Sequence, residues 1–495
     1  FVRIRVNQSN YKNAGRCILF IMPSIVNQLF NPFSLSATEL LSLSFGLLMV
    51  GLWVSECFPM PVVALLPLII FPVTGLDTFG NVSNCYSDPV IYLFMGGFFI
   101  ALALEKWELH KRISLQILRI TGFKGDRVIL GFMISTYLIS MWISNTATTM
   151  MMYPIAMSMI NVLKSWYPVD QHRRITVAIL LSIAYASNIG GLSTIIGTPP
   201  NSAFAAYIHE HNGVTLGFAE WFKFAFPLSA LMLTLLYIVF AKVLFRIKVS
   251  PDVSELPFIK NEISKLGPWK REQVLVLCVF IFTAAFWILK DVVNKLTELD
   301  INDSAIALTG AMLLFVLPSN QKSSHNALEV DELVHQHKGL LTWKDTIKME
   351  WGILLMFGGG IALAKQLQSA GLLSRLGNAL AGVTPDNLFL IIMVIASISV
   401  FLSEIMSNIA QVIVLSPIVV SLAESLHLSP LILGIPMCLA ASCSGMLPMG
   451  TPPNAIVYGS GLVPLRKMLQ AGLWINLISI LVISIWTWLF LLKIF

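Results

Sequence analysis

Charge is what this 495-residue chain has least of: Asp, Glu, Lys and Arg make up 12% of it, against roughly 25% in a soluble domain. The patterns that carry much enzyme chemistry are missing too. No Gly-x-x-x-x-Gly-Lys-Ser/Thr cradles a nucleotide phosphate, so ATP-driven work is unsupported. No His-Glu-x-x-His and no Gly-x-Ser-x-Gly occurs, so neither a zinc hydrolase nor a serine hydrolase is indicated. The six cysteines (Cys17, Cys57, Cys85, Cys278, Cys438, Cys443) are scattered and form no Cys-x-x-Cys. They support neither a metal site nor a disulfide framework.

What is present is apolar length. Hydrophobic residues make up 56% of the chain, and many runs reach the ~20 residues that cross a bilayer as a helix. A membrane β-barrel would show alternating segments of ~10 residues instead. Stretches such as Ile91 to Ala103 are apolar all round and read as helices. Spans are expected near 17–30, 38–57, 60–77, 88–104, 175–205 and 222–245, then near 272–289, 304–317, 351–372, 430–460 and 468–492. Two longer segments, 128–163 and 387–425, do not fit single crossings. Arg3, Arg5, Lys12 and Arg16 precede a short apolar run in the manner of a signal peptide. No small-residue cleavage site follows, and the run reads as a first membrane helix.

The formal charge is +6, which on its own suits nucleic acid or an acidic surface. Its distribution reports topology instead. With the N-terminus inside and each long segment a re-entrant hairpin, the inner loops collect 26 of the 32 Lys and Arg. That is a strong positive-inside asymmetry. The loop 318–348 also holds His325, His335 and His337, read as a solvated loop rather than a metal site. Asn81-Val82-Ser83 fits a glycosylation sequon on the outer side.

The chain is internally repeated. Leu93-Phe94-Met95-Gly96-Gly97 and Ala101-Leu102-Ala103 match Leu355-Met356-Phe357-Gly358-Gly359 and Ala362-Leu363-Ala364. Ser140-x-x-x-Ser144-Asn145 matches Ser403-x-x-x-Ser407-Asn408, and Gly197-Thr198-Pro199-Pro200-Asn201 matches Gly450-Thr451-Pro452-Pro453-Asn454. Three matches in the same order record a duplication. Five spans and one hairpin per unit make an odd number of crossings, so the copies are antiparallel, as in many secondary transporters. The expected fold is an all-α polytopic membrane protein: an inverted repeat of five transmembrane helices plus one re-entrant hairpin each, with one extra N-terminal helix, giving 11 helices and 2 hairpins.

The repeated residues suit small ions. Backbone inside a membrane stays hydrogen-bonded unless it lines a wet cavity. At a hairpin tip the ending helix frees carbonyls and the starting one frees N–H groups. Carbonyls with Ser and Asn oxygens suit a hard cation such as Na⁺; the N–H groups and the positive helix end suit an anion. Asn serves both, through its oxygen and its NH₂. Ser140 lies one turn before Ser144, and Ser403 one turn before Ser407, so each hydroxyl faces its tip. The structural alternative is Ser/Asn pairs gluing helices together; recurrence in matched frames favours function. In Gly-Thr-Pro-Pro-Asn the prolines break the helix, Gly197 and Gly450 turn carbonyls, and Thr198 and Thr451 add hydroxyls. No Lys or Arg falls in these four elements, so an anion there relies on neutral donors and co-bound cations. Glu404 lies in the second hairpin, where an acid is functional by default; its reading is open between a proton or cation site, a backbone-capped group and a group facing a wet crevice.

With these residues the sequence resembles the divalent anion:sodium symporter family, carriers of dicarboxylates, citrate and sulfate. The resemblance rests on Ser144-Asn145-Thr146, on Ser407-Asn408 and on both Gly-Thr-Pro-Pro-Asn stretches, and covers about 17–492. It implies a homodimer in the cell membrane, with scaffold helices in 17–122 and 271–382 and a cytoplasmic linker at 249–270. A transport domain built from 128–248, with the inner hairpin, and 386–492, with the outer one, would move as an elevator. By carry-over, Ser140, Ser144, Asn145 and Gly197 form one Na⁺ site. Ser403, Asn408 and Gly450 form a second, with Met406 giving its carbonyl. Asn145, Thr146 and Asn408 meet the substrate, with Thr198, Pro199, Thr451 and Pro452 nearby. The second motif departs from the pattern: Ile409 stands where Thr146 has a hydroxyl, and Gln411, two residues on, is a candidate substitute.

The function this implies is Na⁺-coupled symport of a divalent anion, above all a C4-dicarboxylate such as succinate. An exchanger, or a sulfate or citrate carrier of the same fold, is the alternative. A membrane enzyme or receptor has no catalytic constellation to support it.

Overall fold

The structure is a computed structural model that describes residues 35–494 apart from 56, 123–125, 247–262, 298–299, 321–338, 383 and 385–386. The expected first helix near 17–30, most of the linker and the three loop histidines lie outside the described residues. The rest is helical, and the one β feature among the described residues is an isolated bridge between Pro318 and Gly339. Among the described residues seven helices are long and apolar enough to cross a membrane by length and composition, including Ala37–Ser55, Val169–Leu192 and Asn408–Ser425.

The first half runs α1 (Ala37–Ser55), α2 (Met60–Val63), α3 (Leu66–Thr74), α4 (Phe79–Asn84) and α5 (Pro89–Lys106). It continues with α6 (Leu109–Thr121), α7 (Arg127–Ser140), α8 (Asn145–Leu163), α9 (Val169–Leu192), α10 (Pro199–Asn212) and α11 (Phe218–Ile238). The second half begins with α12 (Arg271–Thr297), α13 (Asp303–Val316), α14 (Trp351–Ser369), α15 (Leu372–Ala381) and α16 (Leu388–Leu402). It ends with α17 (Asn408–Ser425), α18 (Pro430–Ala441), α19 (Pro452–Gly459) and α20 (Leu465–Ile494).

Several of these boundaries depart from simple hydropathy. The basic stretch 105–127, expected as a loop, folds as α6, and α15 occupies the matching place after α14. Both are short and two-faced. Leu109, Leu115 and Leu118 of α6 are buried while Gln116, Arg119 and Ile120 are exposed, the pattern of a helix with one packed and one open face. Hydropathy averages miss such a helix because half of it is polar. Arg112 of α6 spends its guanidinium on the carbonyls of Leu266, Gly267 and Pro268 and stacks over Trp269.

The two long segments each divide. The first breaks between Ser140 and Asn145, the second between Leu402 and Asn408. The expected spans 175–205 and 430–460 divide as well, at the Gly-Thr-Pro-Pro stretches, and Thr198 and Thr451 take the same extended conformation before α10 and α19. The prolines sit in the first turn of each new helix, where a missing N–H costs nothing.

Packing crosses between the halves. α9 lies against α7 and α8, and α18 against α16 and α17. α10 then packs on α17 and α18, while α19 packs on α8 and α9. Every residue of α9 from Ile175 to Leu192 is buried, so this helix is an axis of the molecule rather than a lipid-facing wall. Between helices in lipid there is little hydrophobic drive, and close backbone approach takes its place. A Cβ on Gly96 would fall 2.6 Å from the Ala307 carbonyl carbon, and one on Gly359 would fall 2.4 Å from the Ala64 oxygen. α5 thereby meets α13, and α14 meets the turn after α2.

Candidate functional site

The breaks face one another around a single cavity of about 790 Å³, within the ~300–1,000 Å³ range of small-ligand sites. Ser144, Asn145 and Thr146 from the first tip line it, as do Met406, Ser407, Asn408 and Ile409 from the second. Thr198, Pro199 and Pro200 and then Gly450, Thr451, Pro452 and Pro453 complete that wall. Val54, Ser55, Met60, Glu350 and Ile353 form the facing wall. Among the described lining residues Glu350 is the one ionisable side chain. Its side chain is exposed and opens on the cavity.

Behind the lining, each tip repeats one arrangement. Ser140 Oγ lies 2.9 Å from Asn145 Oδ1 and 2.7 Å from the Ser187 carbonyl. Ser403 Oγ lies 2.6 Å from Asn408 Oδ1, donates toward the Ala441 carbonyl and is 3.1 Å from Ser444 Oγ. Each hydroxyl has one proton for two or three acceptor oxygens. Several oxygens therefore converge on one proton, which is an environment a hard cation suits and an anion does not. Gly197 is drawn into the first set: a Cβ there would lie 2.6 Å from the Gly191 carbonyl, and one on Gly191 would lie 2.3 Å from Asn145 Oδ1. Gly450 is drawn into the second through Ser444, whose hydroxyl donates to its carbonyl at 3.2 Å.

The last residue of each pentapeptide holds its break open. Asn201 Nδ2 donates to the carbonyls of Gly191 and Thr194 at 3.0 and 2.9 Å. Asn454 Nδ2 donates to those of Ser444 and Leu447, both at 3.2 Å. These partners sit at the same offsets, ten and seven residues earlier. Carbonyls freed by the break are satisfied this way without rebuilding the helix.

Glu404 is a backbone-capped group. Oε1 accepts from the Gly445 and Met446 N–H groups at 2.9 and 2.8 Å, and Oε2 accepts from Leu447 N–H at 2.9 Å. Asn476 of α20 adds a fourth donor at 2.8 Å. The carboxylate thus serves as a counter-charge to the second break. Gln411, the candidate substitute for the missing hydroxyl at Ile409, does not reach the cavity. It is fully buried, and its amide donates to the Ser399 carbonyl and hydroxyl at 2.8 and 2.7 Å. Three residues on, α17 turns this side chain away from Asn408 and into α16.

All seven residues expected near substrate line the cavity, together with Ser144, Met406 and Gly450, while Ser140, Gly197 and Ser403 stand directly behind it. Sequence reasoning missed Asn188, Ser444, Met449 and the residues of the facing wall. Asn188 and Ser444 had a signal available. They occupy Gly-Thr-Pro-Pro-Asn registers whose partners in the other half are Ala441 and Gly191, so polar residues without repeat partners marked them.

The family model described as sodium:sulfate symporter transmembrane region matches residues 10–494. A sodium-dependent dicarboxylate transporter, SdcS, of Staphylococcus saprophyticus is 36% identical over 474 residues, covering 94% of this chain and 88% of that protein. SdcS of Staphylococcus aureus strain USA300 is 33% identical over 485 residues, 95% of this chain and 90% of that one. Among solved structures, the YdaH transporter of Alcanivorax borkumensis aligns with a TM-score of 0.52 at 12% identity, over 91% of this chain and 97% of that one. The last likeness is one of fold alone, and it agrees with an all-helical membrane architecture.

Proposed function

The chain belongs to the sodium:sulfate symporter family, a family of membrane transporters, and from that premise we propose that it is a Na⁺-coupled symporter of a C4-dicarboxylate such as succinate. The observation that carries this reading is the meeting of both Ser-Asn tips and both Thr-Pro-Pro breaks in one cavity without a cationic side chain among its described lining residues. A dianion leaving water for such a site loses several kcal/mol of hydration per charge. Neutral donors and helix N-termini recover part of this, and bound Na⁺ at the Ser140–Asn145 and Ser403–Asn408 oxygen sets supplies the rest. Binding of anion and cation is then mutually dependent, which is what coupling requires. The names of the SdcS relatives support the same pairing of ion and substrate.

In this reading α7–α8 and α16–α17 are re-entrant hairpins of an inverted repeat, and the N-terminus is cytoplasmic in the cell membrane. Residues 128–248 and 386–492 form the transport domain. The crossed packing of α10 on α17 and of α19 on α8 supports movement of these elements as one body. The facing wall of Val54, Ser55, Met60, Glu350 and Ile353 belongs to the scaffold, 17–122 and 271–382, which holds a homodimer. Substrate would leave when the two walls separate by an elevator movement.

Purified protein in liposomes tests this. An inward Na⁺ gradient is expected to accelerate labelled succinate uptake while a K⁺ gradient does not. Equal uptake in K⁺, with strong stimulation by internal dicarboxylate, would replace symport by exchange. Sulfate and citrate as competitors fix the substrate class.

A further inference from the structure

The two corners of the cavity are not wired alike. Asn145 Nδ2 donates to Asn188 Oδ1 at 3.4 Å, and Asn188 Nδ2 donates to Thr451 Oγ1 at 3.1 Å. The chain Ser140–Asn145–Asn188–Thr451 therefore runs from the first tip to the second break, across the two halves. The corresponding corner joins the second tip to the first break. There Ala441 holds the register of Asn188, Asn408 is held only through its oxygen by Ser403, and no side-chain hydrogen bond engages the Thr198 hydroxyl.

We propose that Asn188 is a positioning residue that clasps the first tip to the second break, fixing the Asn145 carboxamide and turning the Thr451 hydroxyl into a committed donor for substrate. This rests on the transport reading above.

Two steps of hydrogen-bond chemistry support it. A carboxamide has nearly the same shape when flipped, so its orientation is decided by its partners. Flipping Asn145 would set its oxygen against Asn188 Oδ1. If Asn188 flipped in response, its oxygen would face Thr451 Oγ1 and take the hydroxyl's proton, leaving none for the cavity. In the orientation the structure shows, Asn145 keeps Oδ1 toward Ser140 and one amide hydrogen for the cavity. Thr451 Oγ1 meanwhile accepts from Asn188 Nδ2 and from the Asn454 N–H at 3.4 Å. Both of its lone pairs are engaged, so its proton is what remains to offer. A carboxylate is acceptor-only and meets a donor already aimed at it, whereas Thr198 must first be oriented. The Asn145–Thr451 corner is thus preorganised and the Asn408–Thr198 corner adapts. Preorganisation lowers the ordering cost of binding.

The test is a double-mutant cycle on dianion uptake, using succinate or whichever dianion the wild type carries. Asn188→Ala is expected to raise the dianion KM by about tenfold, the scale of one to two lost hydrogen bonds, with Vmax held within about twofold. Thr451→Val raises KM as well. Once Thr451 is gone, adding Asn188→Ala is expected to cost no more than about threefold, because most of its effect passes through that hydroxyl. Full multiplication of the two effects, or an unchanged KM in Asn188→Ala, overturns the clasp. A fall in Vmax at unchanged KM also overturns it, since that marks a merely structural residue. If Asn188→Ala does not assemble, Asn188→Asp keeps the volume and the acceptor for Asn145 while losing the donation to Thr451. A wild-type KM in that variant overturns the proposal equally. Loss of Na⁺ dependence in the wild type counts against symport alone, because the cycle reads any dianion uptake, coupled or exchanged.

Discussion

The two tips share an oxygen frame and differ in almost everything around it. Both place a serine hydroxyl within 3 Å of the carboxamide oxygen five residues on. Both tie the pentapeptide Asn to carbonyls ten and seven residues back. Around that frame the first tip has Met141, Thr146, Asn188 and Gly191 where the second has Glu404, Ile409, Ala441 and Ser444. On the proposed reading, duplication has kept the groups suited to a cation and released those that would shape an anion's surroundings. A cation asks only for converging oxygens, which two antiparallel copies can both supply. An extended, unsymmetrical path for one anion does not ask the same of both ends.

The largest effects should fall where the halves agree. Asn145→Ala and Asn408→Ala are each expected to cut uptake by about 100-fold or more, the scale of a lost charge-assisted contact together with a lost ion ligand. The protein should still assemble, checked by size-exclusion profile. Gly191→Ala should approach the same loss, because its Cβ would displace Asn145 Oδ1 from 2.3 Å. Near-normal uptake in either Asn variant would show that the halves do not share the frame.

Next come the positions where they disagree. Among the described residues none hydrogen-bonds the Thr146 hydroxyl, and Thr146 lines the cavity. Thr146→Val is expected to raise the dianion KM by about tenfold if that hydroxyl meets a carboxylate. Ile409→Thr installs the hydroxyl on the other side and should lower KM, by less than the loss at Thr146, since the adaptable corner pays to order it. Paired KM measurements with succinate decide it. Equal and opposite effects would mean the corners are equivalent after all.

The sequence made much of this visible, for identifiable reasons. Helix breaks were legible because proline and an intramembrane Ser-Asn are costly and local. The tip and break residues around the cavity were legible because the repeat marked them twice, whereas Val54, Ser55, Met60, Glu350 and Ile353 carry no such mark. α6 and α15 were not, since a half-polar surface helix averages out in a hydropathy window. Gln411 was misjudged because proximity in sequence says nothing about which face of α17 a side chain leaves from. Residue 408 opens that helix toward the cavity, and the third residue after it points into α16. The role of Glu404 needed coordinates: three consecutive N–H groups from a break some 41 to 43 residues away converge on it. No local pattern announces such a partner.

The smallest effect should appear at Ser444, and it separates ion from anion most cleanly. Its hydroxyl bridges Ser403 and the Gly450 carbonyl in the second oxygen set, and it does not line the cavity. Gly191 holds its place in the first set, with no oxygen to give beyond its carbonyl. Ser444→Ala removes one neutral bridge of about 1 kcal/mol, so the Na⁺ concentration for half-maximal uptake should rise by about fivefold. Dianion KM at saturating Na⁺ should stay near wild type, because Asn408 keeps its bond from Ser403. A change in dianion KM of the same size would mean that the second oxygen set holds the anion rather than the cation. The agreement between the tips would then be an accident of helix packing and not a shared ion site.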